Sequence, residues 1–120
     1  MKLFVAHSSA FDFRTKIYGP LRASALNATH EILLPEEAGA TWNTKEVIES
    51  CDIFVLDASV PSTGAGIETG WAHAAGVPII VIHEKGSTPS TVVAYVAQVA
   101  FEYESPEDLV EKLGAALALR

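Results

Sequence analysis

Asp52-Ile53-Phe54-Val55-Leu56-Asp57-Ala58-Ser59-Val60-Pro61-Ser62-Thr63-Gly64-Ala65-Gly66-Ile67-Glu68-Thr69-Gly70 is the stretch that decides how this chain is read. Residues 53–56 are apolar on both faces, which marks a strand in the middle of a parallel sheet. A Ser/Gly loop follows, then a helix predicted over 66–75 and ended by Gly76 just ahead of Pro78. In an open parallel sheet, ligands bind outside the carboxyl ends of the strands. Glu68 is therefore expected at a ligand site, carried by a helix start. A carboxylate fixed in that way can act as a nucleophile or hold sugar hydroxyls.

Working outward, apolar runs alternate with helix-like stretches. Strands are predicted at 3–6, 31–34, 53–56, 78–82 and 99–103. Ser9 with Asp12 resembles a capping box opening a helix, which Gly19-Pro20 then kinks or restarts. Asn43 with Glu46 opens a helix through Val47, Ile48 and Cys51. Ser90 begins a helix to residue 97, and Ser105-Pro106-Glu107-Asp108 caps a last one to Leu119. Five strands alternating with five helices give a single doubly wound α/β domain over 1–120. The expected sheet is five-stranded and parallel in the order 2-1-3-4-5, flavodoxin-like, with helices on both faces. That order reverses between the first and third strands, so the loop 7–12 should face the loop 57–66 across one crevice.

One wall of that crevice would carry His7, Ser8, Ser9 and Asp12; the other Asp57, Ser59, Ser62, Thr63, Gly64, Gly66 and Glu68. The two glycines would allow positive φ and let a ligand approach the main chain. Hydroxyl-rich walls with one carboxylate suit a sugar or sugar phosphate. No His/Cys/Asp cluster has metal-ligand spacing, so no metal is expected. No Walker-type loop follows a strand, and no G-x-G-x-x-G follows the first one. This excludes ATP hydrolysis and dinucleotide chemistry, and no cofactor is expected. Structural roles stay open for each residue: Glu68 also complements a helix dipole, and Ser62, Gly64 and Gly66 are ordinary turn residues. Asp57 ends the third strand as a phospho-acceptor would, but no acidic pair follows the first strand.

The net charge of −7, with eight scattered Lys and Arg, argues against a nucleic acid polymer as partner. No apolar run approaches a membrane span, and the start is too soon polar for a signal peptide, so a cytoplasmic location away from membranes is expected. The lone cysteine, Cys51, precedes an apolar strand and reads as a buried, inert thiol.

The run from Cys51 to Ile79 also resembles the nucleoside 2-deoxyribosyltransferase family, nearest its 2′-deoxynucleoside 5′-phosphate N-hydrolase branch. The resemblance rests on Asp52 opening a β-run, on Pro61-Ser62-Thr63-Gly64-Ala65-Gly66-Ile67-Glu68-Thr69-Gly70, on Ala72, and on Gly76-Val77-Pro78 before the next strand. It implies a nucleoside or nucleotide substrate, with Glu68 the nucleophile at the anomeric carbon and hydrolysis or deoxyribosyl transfer as the outcome. Ser62 falls at a phosphate-binding serine of that branch. Ser90 falls near another, which there reaches into a neighbour's site, so a homodimer is expected. The family's first-strand tyrosine falls at Phe4 and its aspartate at Thr44. Tyr18 is then the candidate to supply the hydroxyl, and Asp12 or His7 the acid. The alternative is a nucleotide-binding or sensing module that kept the pocket without the chemistry.

Overall fold

The computed structural model describes residues 1–37 and 42–120. The strands are β1 (Lys2–Ala6), β2 (Glu31–Leu33), β3 (Ile53–Asp57), β4 (Ile79–Glu84) and β5 (Val99–Tyr103). They form one parallel sheet in the order β2-β1-β3-β4-β5, as the strand–helix alternation predicts. Leu3 lies opposite Ile53 and Phe4 opposite Phe54, and the two phenyl rings stack at 5.7 Å. Every residue of β3 is buried, as a central strand requires.

The helices are α1 (Gly19–Ala23), α2 (Leu26–Thr29), α3 (Thr44–Ser50), α4 (Thr63–Ala74), α5 (Thr91–Val96) and α6 (Pro106–Ala118). Alternation along each strand divides the core between the two faces of the sheet. Leu3, Val5, Ile53, Val55, Ile80 and Ile82 pack with Leu109 and Leu113 of α6 and with Ile17 and Leu21. Phe4, Ala6, Phe54, Leu56, Ile79 and Val81 pack with Ile48 of α3 and with Ala65 and Ala72 of α4. Cys51 is buried among this second set and donates its S–H to the Ile48 carbonyl, and burial pushes its thiol up. Among the described residues, no helix is long and apolar enough to cross a membrane.

Two helix starts differ from expectation. No helix opens at Ser9 and Asp12. The Ser8 hydroxyl instead accepts the Ala10 N–H at 3.0 Å, a local turn that competes with a cap. The chain first coils at Arg14–Tyr18, as a π-helical turn closed by the Gly19 N–H on the Arg14 carbonyl. It continues without a break into α1, with Pro20 in that helix's first turn.

The second difference bears on function. Ser62 accepts the Ala65 N–H at 3.2 Å and caps α4, which therefore starts at Thr63 and not at 66. Gly64 and Gly66 are helical and neither has positive φ; among the described residues only Gly76 and Gly86 do. Glu68 consequently sits in the second turn. The expected caps Asn43 and Ser105 accept the N–H groups of Glu46 and Asp108, and Ser90, expected to begin its helix, caps it through the Val92 N–H.

Gly66 within α4 and Gly76 just past its end separate these two backbone states. Gly76 has φ +76°, and a Cβ there meets nothing within 4 Å. Gly76→Ala should therefore cost about 1–2 kcal/mol from the left-handed backbone alone. Gly66, helical and equally open, should gain up to about 1 kcal/mol as Gly66→Ala. Urea unfolding of both variants measures the pair of opposite signs.

Candidate active site

One stripe of α4 lines a hollow of about 380 Å³ at the carboxyl end of the sheet. Gly64, Ile67, Glu68 and Trp71 face it, at the i, i+3, i+4, i+7 spacing of a single helix face. Ser62, the cap, borders it as well. The far wall is His7 and Ser9 after β1, Glu36 after β2, and Thr44 at the start of α3. The expectation that Glu68 shares a hollow with the turn after the first strand holds in the structure.

The adjoining stripe of α4 is Ala65, Thr69 and Ala72, all buried toward the sheet, with Ala65 also at the edge of the hollow. The Thr69 hydroxyl donates to the Ala65 carbonyl at 2.7 Å and so leaves no polar group unpaired at that contact. Glu68 itself is half-buried, and no described side chain hydrogen-bonds its carboxylate. Burial raises its pKa, and the nearby charge of Glu36 raises it further.

His7 and Tyr18 form the polar support of the far wall. His7 Nδ1 lies 3.0 Å from the Ser8 carbonyl, and Nε2 lies 2.7 Å from the Tyr18 hydroxyl. A carbonyl can only accept, so Nδ1 carries the hydrogen and Nε2 accepts from Tyr18 in the neutral ring. Burial lowers the His7 pKa against the opposing effect of the Ser8 bond, in keeping with a neutral imidazole. The ring is stacked on Phe13 at 4.2 Å. With both nitrogens engaged, His7 has no free proton to deliver.

The Tyr18 hydroxyl also accepts the Glu36 backbone N–H at 3.0 Å, and burial pushes the phenol up to about 12. Next along the chain, Glu37 is gripped by Arg22 through two bonds, Nε at 2.9 Å and Nη2 at 2.6 Å. The same guanidinium holds the Ile32 carbonyl at 2.9 Å and Asn27 Oδ1 at 2.9 Å. The turn after β2 is thus clamped on both sides of Glu36.

Of the residues expected at the site, His7, Ser9, Ser62, Gly64 and Glu68 share this hollow. Others are placed elsewhere. Asp12 is exposed outside it, and its carbonyl takes the Lys16 N–H. Tyr18 is buried behind His7, where it positions and does not touch the hollow. Ser8 is buried with its hydroxyl in the turn. Asp57 is 2 % exposed, its carboxylate bonded by the Tyr103 hydroxyl and the Ser59 N–H, and burial raises its pKa. That arrangement removes it as a sugar ligand in this hollow and as a phospho-acceptor. The Ser59 hydroxyl accepts the Glu84 N–H at 2.8 Å and ties β3 to β4. Gly66 and Ser90 border a second, larger hollow of about 510 Å³, walled mainly by Leu56, Val60, Val92, Val93 and Val96. It meets the first at Ser62 and Ala65, and its one ionisable lining residue, Asp57, has its carboxylate engaged by Tyr103 and Ser59.

Glu36, Ile67 and Trp71 were not anticipated. The helix-face spacing of 64, 67, 68 and 71 would have flagged Ile67 and Trp71 once Ser62 was taken as the cap. Glu36 has no local signal, because Tyr18 and Arg22 bring it to the hollow from elsewhere in the chain. Among the described residues, no group of His, Cys, Asp or Glu could hold a metal ion.

No family model matches the sequence, and no curated protein matches it. Solved structures do share its fold. The CMP N-glycosidase BcmB of Clostridium botulinum aligns with a TM-score of 0.70 at 24% identity, covering 95% of this chain and 99% of that one. A 2-deoxyribosyltransferase of Bacillus psychrosaccharolyticus aligns with a TM-score of 0.65 at 19% identity, covering 91% and 90%. A conserved protein of Enterococcus faecalis gives 0.65 at 16% identity, covering 97% and 98%.

The Tyr18 hydroxyl can be removed with little change of volume. Tyr18→Phe leaves the Glu36 N–H and His7 Nε2 without partners in a mostly buried position, at an expected cost of about 1–3 kcal/mol. Urea unfolding measures that cost. Faster amide exchange at Glu36, with the core strands unchanged, locates it.

Proposed function

We propose that this protein cleaves or transfers the N-glycosidic bond of a nucleoside or nucleotide, with Glu68 as the nucleophile, and belongs with the nucleoside 2-deoxyribosyltransferases and nucleotide N-hydrolases. The observation that carries this reading is the half-buried Glu68 on the hollow-facing stripe of α4, its carboxylate bonded by no described side chain. The fold shared with an N-glycosidase and a deoxyribosyltransferase supports it, as does the motif from Pro61 to Gly70.

Trp71 and Ile67 offer the apolar surface a base needs, beside the carboxylate. Ser62 and the main chain at Gly64, which has no side chain to shield it, offer hydroxyl and N–H contacts for sugar or phosphate at the helix start. As the C1′–N bond breaks, positive charge develops on the sugar ring. The Glu68 carboxylate stabilises that charge and then bonds to C1′. Water or a second base displaces it, in the manner of a retaining glycosidase.

The second reading, a binding module without turnover, draws on Phe4 and His7. Phe4 is fully buried between Phe54 and Trp42 and brings no hydroxyl to Glu68. Both nitrogens of His7 are engaged. Tight nucleotide binding by calorimetry with no base released would favour this reading.

The protein acts as a homodimer through α5. The support is two apolar side chains left in solvent: Tyr95 at 86 % exposure and Val92 at 67 %. Ser90 then serves the partner's site, since it does not line the Glu68 hollow of its own chain. Analytical ultracentrifugation should give twice the chain mass, and Tyr95→Asp should shift it to the monomer while leaving the circular dichroism unchanged.

Base release, resolved by chromatography, should fall on the order of 10⁴-fold or more in Glu68→Ala with unfolding unchanged or improved. Unchanged turnover removes Glu68 from the mechanism. Glu68 must be ionised to attack, and burial and Glu36 raise its pKa, while neutral His7 does not offset them. Activity should therefore climb with pH through a midpoint above the ordinary glutamate value of about 4.3. A limb at or below that value contradicts the placement of Glu68.

A further inference from the structure

Protonation of the departing base is the step for which the expected residues fail. Asp12 lies outside the hollow, Tyr18 lies behind His7, and His7 has no free proton. Thr44 lines the hollow but has no acid to offer. Besides Glu68, one other described carboxylate lines it, and that is Glu36.

The turn that carries Glu36 is held in a way its sequence does not suggest. The Tyr18 hydroxyl takes its backbone N–H at 3.0 Å, and Arg22 grips Glu37 with a two-point contact while also bonding the Ile32 carbonyl. Leu34, two residues earlier, is 1 % exposed in the core. These three anchors fix the backbone on both sides of Glu36 and leave its own side chain in solvent at the mouth of the hollow, unbonded by any described residue. A site-building turn of this kind limits how far the carboxyl can stray from the opposite wall, where Glu68 sits. Both carboxyl groups line the one hollow, Glu36 from the turn after β2 and Glu68 from α4.

We infer that Glu36 is the general acid–base partner of Glu68, a catalytic carboxyl supplied by the turn after β2 in place of the acid absent at Thr44. This rests on the N-glycosidase reading above. In the first step the Glu36 carboxyl transfers its proton to a ring atom of the base. The C1′–N electron pair leaves with the base, and a Glu68 oxygen bonds to C1′. In the second step water attacks C1′, Glu36 takes the water proton, and the bond to Glu68 breaks. The products are free base and free sugar, with both side chains restored. The two walls then have separate tasks: α4 supplies the nucleophile, and the clamped turn supplies the proton.

The test compares Glu36→Gln with the wild type on paired substrates. One is whichever common nucleoside or 5′-monophosphate the wild type cleaves. The other is the same compound with a base that leaves without protonation, N7-methylated for a purine or 5-nitro-substituted for a pyrimidine. Glu36→Gln should lose on the order of 10²–10⁴-fold in kcat/KM on the ordinary substrate. On the activated one it should lose less than about tenfold, because no proton transfer remains to be catalysed. Glu36→Asp, which keeps the acid on a shorter arm, should recover part of the ordinary activity. Equal losses on both substrates, or no loss on either, overturn the inference and leave the Glu68 mechanism standing. Base released from neither substrate by the wild type overturns the N-glycosidase reading and this inference with it.

Discussion

Helix α4 approaches the sheet closely enough to bring a carboxylate to the crevice because its inner stripe is Ala65, Thr69 and Ala72. Larger residues there would lift the helix off Phe54, Leu56 and Ile79, and Glu68 would move outward with it. Interiors pack at near-crystalline density, so even a methylene at such a contact is felt. The single polar group in the stripe, the Thr69 hydroxyl, is satisfied within the helix and needs nothing from the sheet. Position 68 can then be spent on a poorly solvated carboxylate whose pKa is raised. A helix seated by small residues on one stripe and carrying Ile67, Glu68 and Trp71 on another divides packing from chemistry.

The far wall is organised by one phenol. Tyr18 reaches the loop after β1 through His7 and the turn after β2 through Glu36, two segments that follow adjacent strands of the sheet. A hydroxyl can donate once and accept, and both capacities are used, which fixes the tautomer of His7 as well as the position of Glu36. The π-helical turn Arg14–Tyr18 helps to set this phenol, because its closure delivers Ile17 and Tyr18 together to the buried side. Tyr18 therefore matters to the site without entering it, which is why a reading based on hydroxyl supply alone placed it too close to the substrate.

Much of the fold was legible because it depends on local patterns. The apolar run at 53–56, the helix-opening Asn43, Ser90 and Ser105, and the Gly-x-Pro at 76–78 are signals within a few residues of what they specify. The strand order followed from their alternation. Glu68 was legible for the same reason, since its helix and strand are neighbours in sequence. The misplacements at the site have non-local causes. Asp57 turned away because its side chain shares a face with Val55 and finds Tyr103, 46 residues on. The start of α4 was set too late because two glycines were read as loop residues, although Ser62 caps a helix that includes both. Glu36 could not be seen at all, as nothing near it announces a clamp formed by Tyr18 and Arg22.

The charge distribution limits how a substrate can lie in the hollow. Glu36 and Glu68 put two carboxyl groups in one part of it, and no Lys or Arg is among the described residues that line it. Two like charges about 4 Å apart near a protein surface repel by about 4 kcal/mol. A phosphate would therefore be poorly held beside the carboxylates. The other end is different in kind: the capped start of α4 at Ser62 and Gly64 presents backbone N–H groups and the positive end of the helix dipole. The nearest cation by sequence, Arg14, sits over the Phe13 ring at 4.9 Å on the His7 side. A nucleotide bound with its phosphate at the helix start and its base toward Trp71 would run along about two turns of α4, bringing C1′ alongside Glu68. The same geometry would admit an uncharged nucleoside without the phosphate contact, so whether phosphate is required depends on how much of the binding Ser62 and the first turn of α4 supply.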